Sequence, residues 1–155
     1  MSGIEGISAI LGVTAFAGEV IKATAKSYDL VKRYQDSEPR ARQLLNEIQA
    51  TSELLANVQR QLSNADAIQS VHPTTINSLS AWISRCQNTQ RDIEIRFSWP
   101  PSNKISRGQK LKIAAKSDAF AAFERRVSAD RTLLIAFLES LSWQAFAPQA
   151  HITAY

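Results

Sequence analysis

Between Ile76 and Phe97 the apolar side chains recur in alternating steps of three and four: Ile76, Leu79, Ile83, Cys86, Ile93 and Phe97. One polar residue, Gln90, holds the remaining place in the series. That period is one face of an α-helix, and a β-strand would need a period of two. A seam this narrow and regular is buried only against other helices, in near-antiparallel packing at a crossing angle of about 20°. Trp82 lies beside the seam and extends it. Only five Gly and five Pro interrupt 155 residues, and the β-branched alternation of strands is missing. The expectation is an all-α protein of one domain, an up-down bundle of four to five helices with a long apolar N-terminal helix.

That first helix is the functional puzzle. Residues 6–18 (GISAILGVTAFAG) carry no charge, and after Glu19 the same pattern continues as a charged, amphipathic segment. Val13, Phe16, Val20, Ala23, Leu30 and Tyr34 follow a 3/4 spacing, widened by Ala17, Ile21, Tyr28 and Val31, which predicts one helix over residues 1–34. Thirteen uncharged residues make roughly 20 Å of helix, short of a hydrocarbon core of about 30 Å. Extending the run to Ile21 takes in Glu19. Nothing before Lys22 supplies the positive region of a secretory signal. Two readings stand: a helix buried all round in a bundle, or one that docks in the core and can leave it for a membrane or a partner. Ser8, Gly12, Thr14 and Gly18 make two small-xxx-small pairs that allow close helix approach in either setting. Gly12 costs about 1 kcal/mol mid-helix relative to Ala, so close packing there is the expected compensation.

The remaining punctuation is clear. Residues 35–39 (QDSEP) form a turn, with Ser37 or Glu38 before a proline suited to the first turn of a helix. That helix runs over residues 40–62 with a stripe of Leu44, Leu45, Ile48, Thr51, Leu55, Val58 and Leu62. Residues 63–73 are a loop in which His72 precedes a proline and is held out of the helical region. Thr74 or Thr75 is the expected cap of the third helix. Pro100 and Pro101 end that helix, and residues 104–116 predict a short helix. A long one follows over residues 118–146, with Phe120, Phe123, Val127, Leu134, Phe137 and Leu141 on its core face. Pro148 is expected to stop it, dividing a bundle domain (1–147) from a tail or linker (148–155) and predicting the N-terminal module of a longer protein.

Charge and chemistry narrow the function. Residues 1–63 balance at seven basic and seven acidic, whereas Arg96, Lys104, Arg107, Lys110, Lys112 and Lys116 form a stretch with no acid. It reads as a solvated face or as a contact for anionic lipid, where each basic group contributes about 1 kcal/mol. No nucleic-acid motif accompanies it. The lone cysteine, Cys86, fits a reducing, cytoplasmic compartment and a place in the core. No phosphate loop, HExxH or nucleophile elbow is present. Both histidines lie outside the helices without a supporting acid, and Asp92 and Glu94 point in different directions. The expectation is a protein that is not an enzyme and needs no cofactor or metal.

The uncharged opening GISAILGVTAFAGEVIKATAKSYDLVKRY, the segment LLNEIQATSELLANVQRQL, and Trp99-Pro100 before a basic segment and AFAAFERRVSADRTLLIAFLESL together resemble the fungal HeLo-like domain. That domain precedes NACHT or ankyrin modules in STAND-type (NOD-like) receptors and sometimes stands alone. The resemblance covers nearly the whole chain. It implies a bundle related to HeLo and to MLKL-type executioners, acting in fungal programmed cell death (heterokaryon incompatibility) by homo-oligomerising and attacking the plasma membrane. Its partners would be itself, an anionic membrane surface, and a downstream NACHT or ankyrin module or a cognate receptor, with no nucleic acid. Carried over by position, the membrane-active helix comprises Ile4, Ile7, Ile10, Leu11, Val13, Phe16, Glu19, Val20 and Ile21. The lipid-facing cations are the six basic residues from Arg96 to Lys116. Glu19 departs from a simple spanning helix, although an oligomer can bury such an acid away from lipid. The alternative is a non-lytic homo-oligomerisation scaffold.

Overall fold

The structure, a computed structural model, describes the backbone of residues 3–64, 71–98 and 117–153, and the side chains of residues 8–64, 71–98 and 118–141. Four α-helices account for nearly all of it: α1 (Gly3–Lys32), α2 (Pro39–Leu62), α3 (Pro73–Phe97) and α4 (Ser117–Thr153). The protein is an all-α helical bundle whose first helix is long and apolar. The short helix expected over residues 104–116 lies outside the described residues.

Local chemistry sets the boundaries. α1 stops at Lys32, two residues before Tyr34, because the chain tightens into a turn in which Tyr34 N donates to Val31 O at 3.0 Å. Tyr34 is nonetheless buried, with its ring in the core. Glu38 caps α2: its backbone is extended and its carboxylate accepts from Arg40 N at 3.2 Å, with Pro39 at the first helical position. α3 is capped by His72, not by Thr74 or Thr75. Extended backbone before Pro73 lets His72 Nδ1 accept from Thr74 N at 3.2 Å, so both threonines fall inside the helix. Pro148 does not end α4, whose helical backbone continues to Thr153. A proline removes one i→i−4 bond and crowds the preceding turn, a disfavoured but not impossible arrangement.

Chain direction alternates, but the ring of neighbours is not sequential. α1 packs on α2 and α3, while α4 packs on α2 and α3. Ser27 Oγ donates to Gln90 O at 3.2 Å and Tyr34 OH to Phe97 O at 3.5 Å, both across 63 residues, so α1 and α3 run parallel. Thr89 meets Asp130 and Asp92 meets Arg126, so α3 and α4 run antiparallel. The expected antiparallel neighbours therefore hold for α1/α2 and α3/α4. α2 and α3, consecutive in the chain, instead stand diagonally opposite in the ring.

The core is in two parts. One cluster takes Val13, Ala17 and Val20 of α1, Leu55, Val58 and Leu62 of α2, Ile76 to Cys86 of α3, and Leu134, Phe137 and Leu141 of α4. The other takes Leu30, Val31 and Tyr34, residues 41–48, Ile93 and Phe97, and Phe120 and Val127. On each helix the residues between the two clusters are buried and polar: Thr24 and Ser27, Thr51, Thr89 and Gln90, and Asp130. A polar waist thus crosses the bundle. Local back-bonds satisfy Thr24, which donates to Ile21 O at 2.6 Å, and Thr51, which donates to Glu47 O at 2.9 Å. Gln90 Oε1 is buried without a hydrogen-bond partner. Cys86 lies in the core as expected, and burial, aided by the Asp130 charge, pushes its thiol up to about 12. It is protonated at neutral pH and inert as a nucleophile.

Candidate functional site

The leading half of α1 is a surface helix on one side. Val13, Ala17 and Val20 are buried in the first cluster, and Ile10, Phe16 and Ile21 pack half-buried against its edge. Ser8, Ala9, Leu11, Gly12 and Ala15 face outward, and Leu11 is 64% exposed. Charge returns to the outward face only at Glu19, which lies 4.0 Å from Lys22 with both side chains solvated. Such an exposed pair contributes little. The reading of a helix buried all round is therefore wrong. Residues 8–15 have no helix against their outer face among the described residues.

The two small-residue pairs diverge in role. Gly18 is packed: a Cβ there would stand 3.0 Å from Gln59 Nε2, and that amide donates to Thr14 O at 3.0 Å. The Thr14/Gly18 pair is thus in direct contact with Gln59 of α2. A Cβ on Gly12 would meet nothing within 4 Å. The close packing expected at Gly12 is absent, because Gly12 and Ser8 sit on the solvent side of the same helix.

Among the described residues one helix, spanning Ser8–Lys32, is long and apolar enough to cross a membrane, and 22% of its most apolar window is buried in the bundle.

The proposed membrane-active residues therefore separate into three sets. Val13 and Val20 belong to the core, and Ile10, Phe16 and Ile21 to its rim. Leu11 and Glu19 belong to the surface. Ile4 and Ile7 lie on α1, with side chains outside the described residues. Arg96 is exposed in the last turn of α3, where its charge complements the helix's negative end. With α1 and α3 parallel at an offset of 63, Arg96 is level with residue 33. It stands about 33 Å along the axis from Leu11 at 1.5 Å per residue. The bundle does not bring Arg96 to the exposed apolar face. Lys104, Arg107, Lys110, Lys112 and Lys116 lie outside the described residues.

Two further features escaped the sequence reading. The waist has a signal in hindsight: Thr24 and Ser27 fill the gaps in the series Val13, Ala17, Val20, Val31, Tyr34, and Asp130 fills the gap between Val127 and Leu134. The second is a groove between α3 and α4 lined by Arg85, Arg125 and Arg126, whose members are scattered in sequence. No set of three or more His, Cys, Asp or Glu side chains among the described residues is placed to hold a metal ion. Comparisons with protein-family models, curated proteins and solved structures return no match.

Proposed function

We propose that this chain is a self-associating, membrane-targeting helical domain of the programmed-cell-death type, recruited from the cytoplasm to an anionic plasma membrane through α1. A receptor module, of the NACHT or ankyrin kind or in a cognate protein, would trigger it. The observation that carries this reading is the outward face of residues 8–15, where uncharged residues surround a Leu11 that is 64% exposed.

The energetics favour transfer to lipid over simple release into water. Val13, Ala17 and Val20 are apolar-covered in the bundle and would be so again in lipid, so their transfer is close to neutral. Leu11 and the half-buried Ile10, Phe16 and Ile21 gain burial, each a fraction of the roughly 1.5–3 kcal/mol of a fully buried large apolar side chain. Opposing this are the void left in the first cluster and the burial of Glu19.

The test is dye leakage from liposomes with and without anionic lipid, comparing the intact chain with Leu11→Lys. If Leu11 were buried, as in a helix covered all round, lysine there would cost stability. At an exposed site the expected change in stability stays within about 0.5 kcal/mol, checked by thermal melting. Leakage by the parent and none by the folded variant is the expected result. Leakage unchanged by Leu11→Lys sinks the reading. The uncovered Gly12 favours a second reading, a non-lytic scaffold in which Ser8 and Gly12 pack against a second copy. A folded oligomer that never leaks decides for it.

A further inference from the structure

Ala122 and Ala129, two turns apart on α4, are too small to fill the space against α3, and a groove of 540 Å³ results. Its volume falls within the range of about 300–1,000 Å³ typical of small-molecule sites. Arg85 enters it from α3, and Arg125 and Arg126 from α4. At its back lies Asp130, 4% exposed, whose Oδ2 accepts from Thr89 Oγ1 at 2.6 Å. The other carboxylate oxygen, Oδ1, has Arg85 Nε at 3.8 Å, beyond hydrogen-bond length. Arg126 reaches Asp92 at 2.9 Å and lies over the Phe123 ring, whereas Arg125 has no ion pair among the described residues. The groove thus holds unused guanidinium donors beside a carboxylate whose Oδ1 has its nearest charged partner at 3.8 Å.

We propose that this groove is a binding site for a phosphate group, presented either as a free phosphate or as a phosphomonoester lipid headgroup. A carboxylate is planar and meets guanidinium groups mainly along one edge. A tetrahedral phosphate accepts from several directions, which suits a groove lined by three arginines from two helices. With Asp92 and Asp130 ionised, the three arginines leave a formal charge of +1. With Asp130 neutral the groove carries +2, the complement of a dianion, and the Asp130 hydroxyl can then donate to a phosphate oxygen.

Burial raises the pKa of Asp130 above the ordinary value of 3.8, against the Thr89 hydrogen bond and the Arg85 and Arg126 charges. The charged groups nearby are Arg85 and Asp92 on α3 and Arg125 and Arg126 on α4, while Arg131 is paired with Glu47 of α2 at 2.6 Å. The folded state binds the extra proton between the ordinary pKa and the raised one. Stability therefore falls as pH rises through that window, and phosphate binding should draw the same proton in.

The experiment is a titration with inorganic phosphate, followed by NMR at the Ala122 and Ala129 amides, on the parent, Arg125→Ala and Asp130→Asn. Arg125→Ala changes an exposed residue and is expected to weaken binding roughly tenfold or more. Asp130→Asn removes the opposing charge and should bind several-fold tighter than the parent at pH 7.5. That ratio shrinks as pH falls, a comparison in which the ligand's own ionisation cancels. Vesicles carrying a phosphomonoester headgroup separate the sources. Sedimentation that free phosphate competes away and Arg125→Ala abolishes identifies the headgroup, and phosphate binding without vesicle recruitment identifies the free anion. Shifts that do not saturate, that appear equally around Arg60 and Arg91, or that survive Arg125→Ala overturn the site. None of these outcomes depends on α1 or on leakage.

Discussion

The two halves of the core differ in kind. The cluster that holds the leading half of α1 is mostly aliphatic, with Phe137 its one buried aromatic ring. The cluster beyond the waist is built on rings: Phe97 stacks on Phe120 at 4.8 Å, Tyr34 lies 5.4 Å from Phe97 and 5.9 Å from Phe120, and Phe123 meets Phe97 edge-on at 5.8 Å. The same cluster is closed by the tight turn over residues 33–38, where Glu38 N donates to Tyr34 O at 2.9 Å. Aliphatic contact scales with area and is replaced by any other apolar surface, lipid included. Ring pairs add about 0.5–1.5 kcal/mol each that depends on geometry and is lost on separation. The difference gives α1 one half held by ring contacts and one held by aliphatic contact, with the waist between them.

Phe120→Ala against Phe137→Ala is the most forceful way to break that comparison. Both phenylalanines are fully buried, so the transfer and cavity terms match at about 3–5 kcal/mol each. Phe120 also loses two ring partners, and its replacement should cost about 1–3 kcal/mol more than that of Phe137. Urea denaturation of the two variants measures the difference directly. Equal costs would mean that the ring cluster is no stronger than the aliphatic one.

The seam of residues 76–97 made the helical class, α3 and most of the core legible, because burial against other helices is the one use for a 3/4 stripe. Glu38 and Pro39 fixed the start of α2 for the same local reason that the sequence suggested. Which helices become neighbours was not legible. Placing α2 and α3 diagonally opposite is a global choice, and direction alternates equally well in a sequential ring. The cap at His72 was missed because histidine ranks low among capping residues, yet an extended residue before proline presents its ring nitrogen to the free Thr74 amide. The outward face of α1 was missed for another reason. Hydrophobicity alone does not tell a core helix from a surface one, and only the positions of Val13, Ala17 and Val20 against α2 and α3 leave Leu11 outside.

Gln90→Leu probes the waist with a smaller effect of opposite sign. The buried Oε1 of Gln90 has no hydrogen-bond partner, a situation that costs about 1–3 kcal/mol, and leucine has a similar volume. The Ser27 bond survives, since it is made to the backbone oxygen of Gln90. We expect a gain of about 1 kcal/mol in urea denaturation. Hydrogen exchange should then show the two halves opening together, where in the parent the amides of residues 8–20 open before those near Tyr34 and Phe97. A loss of stability in Gln90→Leu would mean that an unseen partner satisfies the amide, and the waist would no longer mark a division.

The smallest effect separates the two faces of α1 at its glycines. Replacing Gly12 with alanine fills open space and removes a helix-interior glycine, so the melting free energy should rise by about 0.5–1 kcal/mol. Gly18→Ala has the same helical benefit, but its Cβ would stand 3.0 Å from Gln59 Nε2 and disturb the bond from that amide to Thr14 O. Breaking a bond worth roughly 0.5–1.5 kcal/mol cancels the gain, so Gly18→Ala should be neutral or slightly destabilising. Thermal melting of both variants reads the contrast. A gain at both glycines would show that Gln59 yields without cost and that the α1/α2 approach is loose. A gain at neither would place an ordered neighbour over Gly12, leaving the outer face of residues 8–15 neither free for lipid nor open to a second copy.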